Sequence, residues 1–325
     1  MYAAPLPVVG LDVSKATLAV CYQRGAHLHQ LEVSNDKPGF MHLLQVCGAQ
    51  CLFVLEATGT YYLALAYHLH EQGGQVAVVN PLVIKRFIQM HLGKGKTDRK
   101  DAQWLLRYGQ QQAVKRWQPE EKVLVECRQL EQATEQLLKQ KTMVANSLEA
   151  LQQQPIISPL AQHRLQQTWH LLDDQVRALE AELLTLLEQR FAQEMSLLQS
   201  IPGIGRKTAG MLLLFAGGFT RLDNYRQLIA KAGLSPREHT SGTSVRGKAR
   251  ITKMGGAVLR GKLFVCSFSA KKSNAACKAL YERLVAKGKN GKVALIAVCN
   301  KLLKQAFAIV KSGVPYQANF TKFPA

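Results

Sequence analysis

Between about residues 119 and 198 the apolar residues return at a fixed interval, and that interval leaves few folds open. Val123, Leu130, Leu137, Val144 and Leu151 stand seven residues apart, and after the break "QQQPIISPLAQ" Leu165, Leu172, Leu179 and Leu186 keep the same interval. Trp169, Val176 and Leu183 fill the second seam position of the later run. A heptad spans two turns of α-helix, so each run lines one face of a long helix, and the proline-containing break predicts a turn between them. In the first run the second position reads Cys127, Thr134, Lys141, Leu148, so that seam is imperfect. The pair is expected either to fold back as an intramolecular hairpin or to offer a coiled-coil surface to another copy; the pattern favours neither.

The residues before this pair read differently. "LPVVGLDVSKATLAVCYQ" predicts an apolar strand, a polar turn and a second strand, and "AHLHQLEVS" alternates as a third. "KPGFMHLLQVC" has helical spacing, "CLFVLEATG" is a buried strand run closing on Glu56, "YYLALAYHLHEQG" a helix, "QVAVVN" a buried strand and "PLVIKRFIQMHL" a helix. Three successive strands followed by alternating helix and strand predict a mixed sheet with helices on its faces. The expected class is therefore α/β followed by α. Residues 1–115 form the sheet domain, 116–198 the helical hairpin or coiled coil, and 199–325 a mostly helical domain.

Within "HLGKGKTDRKDAQWLL", Gly95-Lys96-Thr97 imitates the end of a phosphate-binding loop. That loop needs a glycine where Met90 stands, and it needs entry from a strand rather than from the helical "PLVIKRFIQMHL". The nucleotide reading is set aside, and Lys94 and Lys96 are expected to meet a nucleic-acid backbone instead.

Charge placement narrows the partners. Of 42 Lys and Arg and 22 Asp and Glu, residues 1–200 hold 19 of each, so the whole excess of +20 falls in residues 201–325. Only Asp223, Glu238 and Glu282 oppose it there. So basic a segment repels itself unless it meets a polyanion, and DNA or RNA, whose neutralised phosphates release counterions, is the natural one. An anionic membrane surface is the weaker choice, with no lipidation motif behind it. The apolar runs "MLLLFAGGF" and "VALIAVC" fall short of a membrane span, and the start lacks the pattern of a secretory signal. Seven cysteines without a C-x-x-C pair predict reduced, buried thiols, and with these features a cytoplasmic protein.

The basic segment opens with "LQSIPGIGRKTAGMLLLFAG", a helix, a Pro-Gly-Ile-Gly turn and a second helix, the pattern of a helix-hairpin-helix element. Gly203 and Gly205 would let the backbone approach a phosphate, with Arg206 and Lys207 beside it; an ordinary helix connection gives the same pattern. Arg246, Lys248, Arg250 and Lys253 are further candidates for the DNA or RNA backbone. The end reads as two helices, "ACKALYERLVAKG" and "VALIAVCNKLLKQAFAIV", around a basic turn.

Four acids form an ordered set. Asp12 ends the first strand, Glu56 closes the strand "CLFVL", and Asp98 and Asp101, three apart at a helix start, share a face. Carboxylates converging at strand ends and a helix suit Mg²⁺, a hard ion, and a pair of ions clamps the attacking and leaving oxygens of a phosphodiester exchange. Singly, Asp12 reads as a turn residue and Asp98 as a helix-start charge. Glu56 is harder to dismiss, because an acid finishing a buried strand needs a partner.

"GLDVSK", "LEATGTY", "KTDRKDA", "IPGIG" and "GLSPREHTSGTSVRGKARITKMGGAVLR", in that order, resemble the insertion-sequence transposases with a RuvC-like DEDD domain and a C-terminal serine-bearing transposase domain, whose relatives include site-specific DNA invertases. The likeness covers nearly the whole chain; Thr252 stands where serine is common in the family. The resemblance implies a ribonuclease-H-like fold for the sheet domain, with Asp12, Glu56, Asp98 and Asp101 as its metal-binding set. It places Ser241 on the family's nucleophilic serine. It also implies a structured non-coding guide RNA, the bridge RNA, that pairs with donor and target DNA.

The residues around Ser241 do not by themselves select it. A Ser-Gly turn explains it equally, with Ser235 and Ser244 in the same loop, and His239 has no evident orienting acid. Under the resemblance, Ser241 attacks a DNA phosphate to give a covalent phosphoserine, with the carboxylate-held ions assisting and Gly242 allowing close approach. Two other functions compete: a metal-dependent nuclease or junction resolvase using water, with Ser241 only binding DNA, and a non-enzymatic nucleic-acid-binding protein whose acids are structural. Bringing two DNA sites together calls for a homodimer or homotetramer.

Overall fold

The computed structural model describes residues 6–93, 95, 97–237, 240–241, 245–246 and 250–318; for 240, 241, 245 and 246 it describes the backbone alone. The chain forms two compact units, residues 1–120 and 121–325.

The first unit is built on β1 (Val8–Val13), β2 (Thr17–Arg24), β3 (His27–Ser34), β4 (Leu52–Glu56) and β5 (Gln75–Val79), ordered β3-β2-β1-β4-β5. β1 is antiparallel to β2 and parallel to β4, and β4 is parallel to β5, so the sheet is mixed as the strand pattern predicts. Alternation along the strands splits the core between two faces. Val9, Leu11, Phe53 and Leu55 face Phe40 and Leu43 of α1 (Lys37–Cys47) and Leu65 and Leu69 of α2 (Tyr62–Glu71). On the other face Val54, Ala77 and Val79 meet Ile84 of α3 (Pro81–Met90) and Leu105 of α4 (Asp98–Gln111), while Ala19 and Cys21 meet Ala102 and Leu106.

Local signals set the helix starts. Asp36 caps α1 by accepting from the Gly39 amide, Asn80 caps α3 with Pro81 at its first position, and Thr97 caps α4 by accepting from the Lys100 amide. The chain thus enters the Gly95 loop from a helix, which removes the nucleotide-loop reading; Lys94 and Lys96 lie outside the described residues.

In the second unit α5 (Lys122–Gln152) and α6 (Pro159–Arg190) lie along one another as an intramolecular hairpin. The seam that looks imperfect in sequence is the more deeply buried one on α5: Cys127 and Thr134 are buried where Val123, Leu130 and Leu137 are half-buried, and Lys141 pairs with Asp173 across the hairpin. Arg177 reaches the other Asp173 oxygen at 2.6 Å, and the Lys141 ammonium lies 4.4 Å from the Trp169 ring centre. A half-buried lysine at a seam position is tolerated here because an acid and an indole face receive it.

There follow α7 (Ala192–Gln199), α8 (Arg206–Ala216), α9 (Tyr225–Lys231), α10 (Ala257–Ser273), α11 (Ala275–Ala286) and α12 (Gly291–Ser312). Their core gathers Leu198, Ile201, Leu212, Leu263, Val298 and Leu302 with Leu184 and Leu187 of α6. α12 is long and apolar enough to cross a membrane by length and composition, although Lys301 and Lys304 interrupt its apolar run. Val298, Cys299, Leu302, Leu303 and Ala306 on it are all fully buried in this core.

Between α9 and α10 the chain makes two short antiparallel ladders. β6 (Pro236–Arg237) pairs with β9 (Arg250–Ile251), and nearer the tip β7 (Thr240–Ser241) pairs with β8 (Val245–Arg246). All seven cysteines are free thiols. Burial pushes Cys47 and Cys299 up to about 12 and Cys127 and Cys277 to about 11, as inert core thiols should behave.

Candidate active site and nucleic-acid surface

Strand register brings two of the four acids side by side. Leu11 of β1 pairs with Leu55 of the parallel β4, so the next residues, Asp12 and Glu56, are neighbours at the same end of the sheet. Both lie on the face opposite Leu11 and Leu55, the face covered by α4. Gly10 fixes how close α4 comes: a Cβ there would collide with the Ala102 carbonyl oxygen and the Leu106 nitrogen. At the other end of α4, a Cβ on Gly109 would lie 2.6 Å from Val54 and 2.8 Å from Val8. α4 therefore runs antiparallel to β1, and its first turn, with Asp98 and Asp101, arrives over the strand ends that bear Asp12 and Glu56.

Asp98 is exposed, and Asp12, Glu56 and Asp101 are half-buried. Glu56 has found the partner that its position demands: Thr58 Oγ1 donates to its Oε1 at 2.7 Å. The donor set is all carboxylate oxygen, which fits a hard divalent cation better than a softer metal. Among the described residues no three Asp, Glu, His or Cys side chains are gathered into a ready ligand cage. Backbone placement and donor chemistry fit the ion, while the carboxylates are not drawn together around it.

Ser241 lies in the inner ladder beside the tip, its backbone paired with Val245, and Arg246 pairs with Thr240. Arg250 is exposed in the outer ladder, and Lys253 has the left-handed φ of 55° just past it. Lys248 lies outside the described residues. The base of this hairpin is closed by the Thr252 amide on the Ser235 carbonyl (3.0 Å) and the Lys253 amide on the Gly233 carbonyl (2.9 Å). Glycines permit the closure: a Cβ on Gly233, φ +66°, would lie 2.8 Å from the Met254 oxygen, and one on Gly256 would lie 2.8 Å from the Ala232 Cα.

The Pro202-Gly203-Ile204-Gly205 turn joins α7 to α8, and its two glycines differ. Gly203, φ +101°, is pressed on α10, where a Cβ would lie 2.7 Å from that of Ala270. Gly205, at the start of α8, has nothing within 4 Å of such a Cβ. Of the two, only Gly205 leaves room for an approaching group. Arg206 and Lys207 carry intramolecular pairs: Arg206 Nε and Nη2 reach Glu188 at 2.5 and 2.6 Å, and Lys207 Nζ reaches Glu180 at 2.6 Å. Hydrogen bonding from Arg206 holds Glu188 below the usual carboxylate range, against the opposing effect of its burial. A phosphate at this turn would have to displace Glu188 to take the Arg206 fork.

Several of these residues carry weak sequence signals. Gly10 inside a strand is the cue for a close backbone approach. The acids at 180 and 188 share a helix face, but no short-range pattern links them to Arg206 and Lys207. Thr58 is two residues from Glu56 in "LEATGT", and nothing in that string marks it as the acid's partner.

A mixed sheet carrying this acid set is consistent with a ribonuclease-H-like fold, and the basic helical unit that follows it suits a nucleic-acid partner. Residues 9–155 match the DEDD transposase domain family, and residues 195–282 match the transposase family IS116/IS110/IS902. The chain is 29% identical to the pilin gene-inverting protein of Moraxella bovis over 324 residues, 95% of this chain and 97% of that one. It is 28% identical to the protein of the same name from Moraxella lacunata over the same shares. Over 183 residues, 54% of this chain and 44% of the other, it is 29% identical to the "Insertion element IS110 uncharacterized 43.6 kDa protein" of Streptomyces coelicolor. The chain belongs to the IS110 family of transposases, and its DEDD domain suggests the use of divalent metal.

Proposed function

We propose that the chain cuts and rejoins DNA at specific sites through Ser241, helped by Mg²⁺ held on Asp12, Glu56, Asp98 and Asp101 as a pair of ions. The observation that carries this is the strand register that puts Asp12 beside Glu56 beneath the first turn of α4. A bound ion of this kind would offset the charge that gathers on the phosphate and the departing oxygen. The Ser241 oxygen forms a bond to the scissile phosphorus, the bond to the 3′ oxygen breaks, the serine proton leaves to solvent, and the departing 3′ oxygen takes up a proton from solvent to become a hydroxyl. The phosphoserine keeps the bond energy, so the 3′ hydroxyl of another strand can reverse the step without ATP.

Donor and target DNA are the substrates in this reading, and the Moraxella relatives, named for inverting a pilin gene, act on DNA as their name says. Gly205, Arg206, Lys207, Arg246, Lys248, Arg250 and Lys253, with Lys94 and Lys96, contact nucleic-acid backbone. Gly203 sets the turn of a helix-hairpin-helix element, residues 116–198 serve as a helical hairpin, and residues 199–325 as the transposase domain. A structured RNA encoded beside the protein selects both DNAs, a homodimer or homotetramer holds them, and the work takes place in the bacterial cytoplasm.

The test compares the full chain with Ser241→Ala and Asp12→Asn, each copurified with its bound RNA and given duplexes spanning the boundary of its coding element. A denaturant-resistant protein–DNA adduct is expected from the wild type and from neither variant. Free 5′ phosphates without an adduct would convert the reading to a water-using resolvase. Absence of a discrete copurifying RNA would remove the guided mode alone.

A further inference from the structure

The hairpin that carries Ser241 has little rigidity of its own, since each ladder is only two residues deep. Isolated two-stranded pairings are marginal in water, so its orientation must come from what grips its base. Two helices do so. From α10, Arg260 Nη1 donates to the Ala232 carbonyl at 2.9 Å and also to the Gly255 carbonyl. Ala232 precedes the outer ladder and Gly255 follows it, so a single guanidinium ties both ends of the excursion. From α12, Asn300 Nδ2 donates to the Leu234 carbonyl at 3.2 Å. The grip is tight: a Cβ on Gly233 would lie 2.7 Å from Arg260 Nη1.

We infer that Arg260 is a positioning residue for strand cleavage: it sets the direction in which the hairpin presents Ser241, without touching DNA. The inference rests on Ser241 being the nucleophile. Charge-assisted hydrogen bonds to two carbonyls hold better than neutral ones, and the planar guanidinium fixes the directions of the two Nη1 N–H bonds where a freely rotating lysine ammonium would not. Displacing a reacting oxygen by about 1 Å costs on the order of 10²-fold in rate.

Arg260→Gln and Arg260→Lys are compared with the wild type in the full chain, with copurified RNA retained, on nicked duplexes spanning the boundary of the coding element. Three readouts are taken: the single-turnover rate of adduct formation at saturating DNA, the DNA concentration at half that rate, and hydrogen exchange at the Thr252 and Lys253 amides. Arg260→Gln is expected to lower the saturating rate on the order of 10²-fold. Half-saturating DNA stays within about twofold, the two amides exchange faster, and Arg260→Lys recovers part of the rate. An unchanged rate, whether or not the amides loosen, overturns the inference. So does a rise in half-saturating DNA that matches the loss of rate, which would make Arg260 a DNA contact. If the wild type forms no Ser241-dependent adduct, the nucleophile reading fails and takes the inference with it. If it forms one while the Arg260 results go the wrong way, only the inference is lost.

Discussion

The two units hold their chemistry in opposite ways. In residues 1–120 the acids sit at the ends of interior strands and on the first turn of a helix pressed against the sheet, so their backbones are fixed by the core itself. In residues 121–325 Ser241 rides on an excursion whose ladders are two residues long, and its support comes from side chains and close glycine contacts at the base. A site on regular elements inherits its precision from packing. One on a hairpin must be held by particular hydrogen bonds, and is correspondingly easier to loosen without unfolding the unit.

The strongest way to break that comparison is Gly10→Val. Its side chain has no room beneath α4, so it should destabilise the first unit by about 3 kcal/mol or more. Urea unfolding followed by Trp104 and Trp117, which lie in the first unit, should shift, while Trp169 in α6 reports an unchanged hairpin. A shift in Trp169 of the same size would show the two units to unfold together.

The paired glycines of the α7–α8 turn sharpen it at a smaller scale. Gly203→Ala meets both a left-handed φ and the Ala270 side chain, and should cost about 1–3 kcal/mol. Gly205→Ala, at φ −88° with open space around it, should cost under about 1 kcal/mol, the difference between glycine and alanine at a helix cap. Equal midpoints in thermal unfolding would refute the packing role given to Gly203.

The smallest effect concerns acid. The hydrogen bond from Lys141 is the main cause holding Asp173 below the usual carboxylate range, with burial opposing and the nearby charges of Arg177, Lys141 and His170 assisting. A carboxylate depressed in the folded state stabilises the hairpin above its unfolded value of about 4, and that contribution fades as pH falls through the lower folded value. Stability followed by Trp169 should therefore decline below about pH 4. Asp173→Asn should lower it at neutral pH and flatten the decline; an unchanged profile would sink the assignment.

How much of this was legible in the sequence follows the same divide. The strands and helices of the first unit stand where alternation and spacing place them, because each buries a face of its own. The acid order was legible too, but not that α4 is aligned by Gly10. In the second unit the heptads predict two long helices, but not that the imperfect position of the first would be its more deeply buried one: it carries Cys127, Thr134 and Lys141, made acceptable by Asp173 and Trp169 from the other helix. α10 shows no clear amphipathic period because it is apolar on both sides: Val265 and Phe268 are exposed, opposite the buried Leu259 and Leu263. Two-residue ladders are too short to show alternation. The pairing of Arg206 with Glu188 spans 18 residues, beyond any local pattern.

The contact between Ala232 and Gly256 makes the intervening stretch a closed cassette. Its two ends leave the helices side by side, so chain can be added or removed at the tip without moving α9 or α10. A relative's serine loop of another length, spliced between those two positions, should therefore graft onto this scaffold and carry its own tip sequence with it. That would make the excursion an interchangeable part, free to diversify while its mount stays the same.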